Sequence, residues 1–289
     1  MTFAEYSKTW ERNILPLAKP ASRNTMRSHL KRLNAALGDQ PIDMKYPVVQ
    51  GFFTDQAINS APKTVRNIFS TFHNVMAAAL REGLIEKIHT VALPKSTRTE
   101  QEWLSVEDMK RLMIGSQSTH RVLYATLAET GLRIGEALGL KGGDLDEINQ
   151  TLQIRRSLYG GKVQAPKTAA SYRTITLSPY LVDLLKSVAT GTPEDFLFRS
   201  SSGAPLWPEK ILVSSLHPLL ADLKLKPAGF HAFRRGNATL MCSVLGVPEK
   251  VAAYRLGHRA PGLTLGLYAQ NFTGIDREWT PKIGEALFK

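Results

Sequence analysis

The stretch TLQIRRSLYGGKVQAPKTAASYRTITLSP, Thr151 to Pro179, is where the chain changes character. TLQIRRSL and KVQAPKT flank a Tyr-Gly-Gly turn, and YRTITLSP follows after a short polar gap. Short runs rich in β-branched residues on either side of a glycine turn predict strands, here a small antiparallel sheet of three. The fold class is therefore mainly α with a small antiparallel sheet, and the half of the chain that holds this stretch is α+β.

Outward from the sheet the pattern is helical. Upstream, LSVEDMKRLM opens a helix with Ser105 and Asp108 spaced as a capping box. THRVLYATLAET follows and stops near Gly131, and RIGEALGL begins at once. Downstream, YLVDLLKSV and most of the remainder read as helix. The last segment, FTGIDREWTPKIGEALF, spaces Ile275, Trp279, Ile283 and Leu287 by four, an apolar stripe fit to close its own domain.

The segment ALPKSTRTEQEW is polar, aperiodic and broken by Pro94, so residues 96–102 read as a linker. It divides a helical domain over 1–95 from a second domain over 103–289. In the first, Phe3, Tyr6, Trp10 and Ile14 recur at helical spacing, as do Met26, Leu30, Leu33 and Leu37. A third helix is expected around YPVVQGFFTDQAI and a fourth in APKTVRNIFSTFHNVMAAALREGLI, whose stripe is Val65, Ile68, Phe69, Phe72 and Met76. Arg27 and Lys31 lie between the apolar positions of the second helix, and Lys63 and Arg66 stand near the start of the fourth; these are the candidate DNA contacts, for phosphate sooner than for base edges.

Composition narrows the partners. The chain has 289 residues and a net charge of +12, with a sequence pI near 9.8. Residues 1–97 carry 13 Lys and Arg against 7 Asp and Glu, and the rest 24 against 18, so the basicity belongs to both halves. A polyanion such as DNA is the expected partner, with a solvated basic surface as the bland alternative. No apolar run has the roughly 20 residues a membrane span needs. The first residues lack a secretory core, which points to the cytoplasm. The lone Cys242 sits in an apolar run and is expected to pack as a small hydrophobe. P-loop, GxGxxG, HExxH and GxSxG motifs are all missing, so neither nucleotide nor metal is expected as a cofactor.

What remains is a set of dispersed cations in distinctive contexts. Arg133 lies in TGLRIGEALGL, Lys167 in APKTAASYRTITL, His231 and Arg234 in GFHAFRRGNATLM, and His258 in YRLGHRAPGLTLGLYAQ, ten residues before Tyr268. His231 and Arg234, three apart, share a helix face. Glu136, one turn after Arg133, reads as holding a helix or an arginine. Arg155, Arg156 and Arg173 are either solvated strand residues or phosphate contacts, and Arg235 faces DNA or an acidic neighbour.

Taken in this order, Arg133, Lys167, His231, Arg234, His258 and Tyr268 resemble the active-site set of the tyrosine recombinase (phage integrase) family, over residues 103–270. The segment KTVRNIFSTFHNVMAAALREGLI resembles that family's core-binding domain. Ala232 stands where the family often has aspartate, and Arg235 where it often has histidine. The resemblance implies a helical, SAM-like core-binding domain followed by an α+β catalytic domain. It implies a site-specific recombinase that cleaves and rejoins double-stranded DNA through a 3′-phosphotyrosine on Tyr268, without metal or ATP. Arg133 and Arg234 would hold the phosphate, His231 serve as base, Lys167 as acid, and His258 donate to a phosphate oxygen. The partners implied are DNA, a homotetramer in the synaptic complex assembled from monomers or dimers, and accessory DNA-bending proteins. For the apolar stripe of the last segment the resemblance implies, as the alternative to closing its own domain, docking on a neighbouring subunit. The helices begin almost at residue 1, so no further N-terminal DNA-binding domain is expected. A non-catalytic DNA-binding regulator and a type IB-like topoisomerase are the alternatives.

Overall fold

The computed structural model describes residues 1–95, 102–164, 172–257 and 269–288. The linker expected over 96–102 lies outside the described residues except for Glu102. The chain forms two compact units, Met1–Glu100 and Gln101–Lys289, each with its own hydrophobic core.

The first unit holds four helices, α1 (Phe3–Asn13), α2 (Pro20–Leu37), α3 (Tyr46–Asn59) and α4 (Pro62–Arg81). Thr2 and Glu5 close a capping box at the start of α1, while the other three helices begin with a proline in their first turn, where its missing N–H costs nothing. The expected stripes meet inside: Phe3, Tyr6, Leu33, Phe53, Val65, Ile68 and Phe72 are buried. Phe72 lies between Phe3 and Phe53, with ring centroids 5.9 and 5.6 Å away. His29 and Thr71 join α2 to α4 through a 2.8 Å hydrogen bond.

The second unit begins with α5 (Val106–Gly115), capped by Ser105 and Asp108 as the sequence predicts. Next comes α6 (Ser118–Thr130), whose residues 122–130 are buried all round. A helix enclosed on every side is the axis of its domain. Short α7 (Ile134–Leu138) leads into the strands.

The sheet differs from expectation. TLQIRRSL divides at Arg155 and Arg156 into β2 (Thr151–Ile154) and β3 (Ser157–Tyr159). β2 pairs antiparallel with both β1 (Leu145–Asp146) and β5 (Arg173–Thr176), giving three strands in the order β1-β2-β5. β3 pairs with β4 (Lys162–Gln164) as a separate hairpin across Gly160 and Gly161, both at positive φ. The glycine turn was legible, but YRTITL chooses β2 and not the hairpin. The break lies at Arg155 and Arg156, where the Arg156 guanidinium pairs with the buried Asp144.

Helices α8 (Pro179–Val188), α9 (Pro208–Ile211), α10 (His217–Asp222), α11 (His231–Thr239), α12 (Glu249–Leu256) and α13 (Ala269–Phe288) complete the unit. α13 packs on its own unit, burying Asp276, Thr280, Ile283 and Leu287. A π-helical turn, Leu240–Val244, follows α11. It turns Leu240 and Met241 inward and leaves Cys242 exposed, against the expectation that Cys242 packs in the core.

Candidate active site

Gly131 ends α6 in the left-handed conformation, φ +62°, which releases the chain so that Arg133 becomes the N-cap of α7. A Cβ on Gly131 would come within 2.5 Å of Leu256 and 2.7 Å of Asn237, so glycine is required for space as well as for φ. One turn into α7, Glu136 is buried and reaches back. Its carboxylate accepts from the Arg133 guanidinium at 2.7 Å and from the Arg133 backbone N–H at 3.2 Å. The Arg133 side chain keeps 41% of its surface exposed.

Arg234 arrives from α11, 103 residues beyond Gly131 in sequence. It is 4% exposed, and its two terminal nitrogens donate to the carbonyls of Gly131 at 2.8 Å and Leu256 at 2.7 Å. Those carbonyls sit where two helices end in left-handed glycines, Gly131 and Gly257. Burial, and then the charge of Arg133, push the Arg234 pKa down to about 10, and Arg173 adds to the effect. At neutral pH the group remains a cation with further N–H donors for an anion.

His231, one turn before Arg234, begins α11 and is exposed. Partial desolvation lowers its pKa from the ordinary value, followed by the charges of Arg234, Arg235 and Arg133. The imidazole is therefore neutral near pH 7 and can accept a proton. The charges of Arg133 and Arg234 both act on His231. Lys167, His258 and Tyr268 lie outside the described residues. Among those residues, no group of three or more His, Cys, Asp or Glu comes together that could hold a metal ion.

Two residues near the site, Asn237 and Arg255, were not singled out from sequence, and Arg173 takes a role the sequence did not suggest. Asn237 is fully buried and donates to the carbonyls of Ala128 and Glu129, in the last turn of α6, at 2.8 and 3.0 Å. Arg173, read as solvated or phosphate-bound, is instead buried against Glu136 and the Arg255 carbonyl. Its signal was the period of two: Arg173 shares a strand face with Ile175, which is core. Arg255 likewise occupies the apolar face of α12 with Val251 and Ala252. Its guanidinium pairs with Asp276 and also donates to the carbonyls of Thr176 and Glu129. Arg235 donates to the backbone carbonyl of Glu102 at 2.8 Å.

The four candidate DNA contacts belong to the first unit. All are exposed. Arg27 pairs with Glu11 at 3.0 Å, and Arg66 donates twice to the carbonyl of Pro94, at 3.2 and 2.9 Å. Lys31 lies one turn beyond Arg27 on α2, and Lys63 one turn before Arg66 on α4.

Residues 102–274 match the profile of the Phage integrase family. The integrase of Mycobacterium phage FRAT1 is 25% identical over 282 residues, covering 92% of this chain and 83% of that protein. Among solved structures, the Tn1549 transposon integrase in complex with transposon right end DNA superposes with a TM-score of 0.75 at 21% identity, covering 93% of this chain and 95% of that one. A lambda integrase tetramer bound to a Holliday junction gives 0.71 at 18% identity, covering 91% and 79%.

Proposed function

We propose that this chain, which belongs to the phage integrase family, is a site-specific DNA recombinase that cuts and rejoins strands through a 3′-phosphotyrosine. The observation that carries the reading is the 2.8 Å hydrogen bond from Arg234 to Gly131, which ties the His-x-x-Arg helix to the turn presenting Arg133. In this reading both guanidiniums serve one phosphate, and the charges of both already act on His231, which they help keep neutral.

A phosphodiester fits that arrangement. It carries one negative charge and gains more as a fifth oxygen approaches phosphorus. Fixed cations at the point where charge develops are the largest catalytic contribution available to such a site. Guanidiniums suit it because their planar forks match phosphate oxygens. The Tyr268 hydroxyl attacks phosphorus and the bond to the 5′-oxygen breaks. The phenol, with an ordinary pKa of about 10, gives its proton to His231. Lys167 protonates the departing 5′-oxygen, and His258 donates to a phosphate oxygen. The covalent linkage keeps the energy of the broken bond, so another strand's 5′-hydroxyl reverses the step without ATP or metal.

In this reading the first unit, residues 1–95, is the core-binding domain, with Arg27, Lys31, Lys63 and Arg66 on DNA phosphates. Residues 103–289 form the catalytic domain. The net charge of +12 supports a DNA partner. Four copies act together on paired sites in the cytoplasm, as the lambda integrase tetramer sits on a Holliday junction.

The test is a trapping assay on DNA carrying the sequences that flank the gene, in EDTA and without ATP. Wild type should give a detergent-resistant protein–DNA adduct and Tyr268→Phe none. Tight binding of that DNA by both proteins with no adduct from either would refute the enzyme and leave a DNA-binding regulator. An adduct from both would mean that a different residue is the nucleophile.

A further inference from the structure

We infer that Arg173 is a positioning residue of the cleavage site, holding the Glu136 carboxylate against Arg133 while it fastens the end of α12. The inference rests on the recombinase reading above.

Arg173 sits on β5, with its side chain 1% exposed. One terminal nitrogen donates to Glu136 Oε2 at 3.2 Å, and Nε donates to the backbone carbonyl of Arg255 at 2.8 Å. The guanidinium also lies against Gly257. That glycine has φ +66°, and a Cβ on it would meet Arg173 Nη1 at 2.6 Å. A single planar group on β5 therefore joins α7, through Glu136, to the end of α12, through the Arg255 carbonyl.

Charge gives the arrangement a purpose beyond packing. Arg133 and Glu136 alone would form a neutral pair, a poor receptor for a phosphate that is gaining charge. Arg173 supplies a second guanidinium to the same carboxylate, so Arg133 keeps a net positive field toward the open side of the site. Burial works to raise the Glu136 pKa, yet the charge of Arg173 and then the bonds from Arg133 hold it below its ordinary value, so the carboxylate remains ionised and able to orient Arg133. An apolar side chain would fill the same volume without the cost of burying a charge. An ammonium would keep the charge but lack the fork that reaches both partners. The arginine is explained by what it holds.

The experiment is single-turnover cleavage of a nicked duplex carrying the site mapped by the trapping assay, at saturating DNA, with thermal melting and DNA affinity measured in parallel. Arg173→Met should cleave slower by about 100-fold, the loss expected when catalytic groups are displaced by roughly 1 Å, with DNA affinity unchanged. If Arg173 acts through Glu136, adding Glu136→Gln to Arg173→Met should cause no further loss, because a neutral amide needs no counter-charge. Arg173→Lys carries the same test should the methionine variant fail to fold, and it too should cleave more slowly than wild type.

A lowered melting temperature with wild-type cleavage would mean that Arg173 is structural alone, and losses that multiply in the double variant would mean it does not act through Glu136. Either overturns the inference while leaving the recombinase reading intact. No adduct from wild type would overturn both.

Discussion

Arg234 commits two of its N–H groups to the carbonyls of Gly131 and Leu256, and that commitment fixes where its remaining donors point. A lysine has one terminal nitrogen in place of the fork whose two nitrogens reach the two carbonyls. Arg234→Lys should therefore lower the single-turnover rate of adduct formation by roughly 10²–10³-fold, the range for losing one fixed donor to developing charge. It should also destabilise the fold by about 1–3 kcal/mol for each carbonyl left unpaired, a loss readable in a denaturant melt. His231 offers a test that needs no DNA. Its lowered pKa means that, as pH falls, the free imidazole stays neutral past the point where an exposed histidine has begun to charge. Its NMR signals should titrate with a midpoint below the ordinary 6.5, and Arg235→Met, which removes one of the depressing charges, should raise that midpoint. A midpoint that ignored Arg235 would contradict the electrostatic account of the site.

The docking of α11 on the end of α6 shows how elements carry the site. A helix leaves its last carbonyls without partners, and the partial negative charge there attracts donors. Arg234 takes one such carbonyl and Asn237, one turn later, takes two more. The left-handed Gly131 makes this approach possible, so Gly131→Ala should act at a distance. Its Cβ would strain the backbone and press on Asn237 and Leu256. The expected cost is about 1–3 kcal/mol for the strained conformation, visible in a melt, with cleavage reduced through both arginines.

The elements themselves were readable because amphipathic spacing and caps are local: the Ser105–Asp108 box, the stop at Gly131 and the stripes of the first unit all fell where the sequence placed them. The partition of strands between two sheets was not, since pairing YRTITL with β2 depends on a non-local choice. Arg173 escaped for a related reason: an arginine on an apolar strand face makes sense only once Glu136 and the Arg255 carbonyl stand beside it.

Beneath the site, the second unit is tied together by a buried polar network that spans most of its length. Arg255 bonds Asp276 on α13 and the carbonyl of Thr176 at the end of β5, and it also bonds Thr280. Glu129 on α6 accepts from the Ser178 backbone N–H and lies against its hydroxyl, at the start of α8. One guanidinium thus serves two carboxylates, and they are not equivalent. Asp276 holds the short ion pair, while Glu129 approaches Arg255 only to 3.8 Å. Removing the nearer partner leaves a buried cation uncompensated, so Asp276→Asn should cost about 3–5 kcal/mol, measured by chemical denaturation, and should loosen α13 first in hydrogen exchange.

Glu129 should behave in the opposite way. Burial pushes its pKa above the ordinary 4.5, against the pull of Arg255 and of Ser178. The folded protein therefore holds this proton where the unfolded chain has released it. Stability owed to Glu129 is complete below pH 4.5 and is lost as pH rises through the folded pKa, because the native state then binds more protons than the unfolded one. Glu129→Gln keeps the shape and the bonds to Ser178 but has no proton to lose. The variant should match wild type in mild acid and grow steadily more stable relative to it as pH is raised, seen as diverging melting curves. Curves that ran parallel across that range would mean that Glu129 is already ionised in the native fold, with Arg255 balancing both carboxylates together.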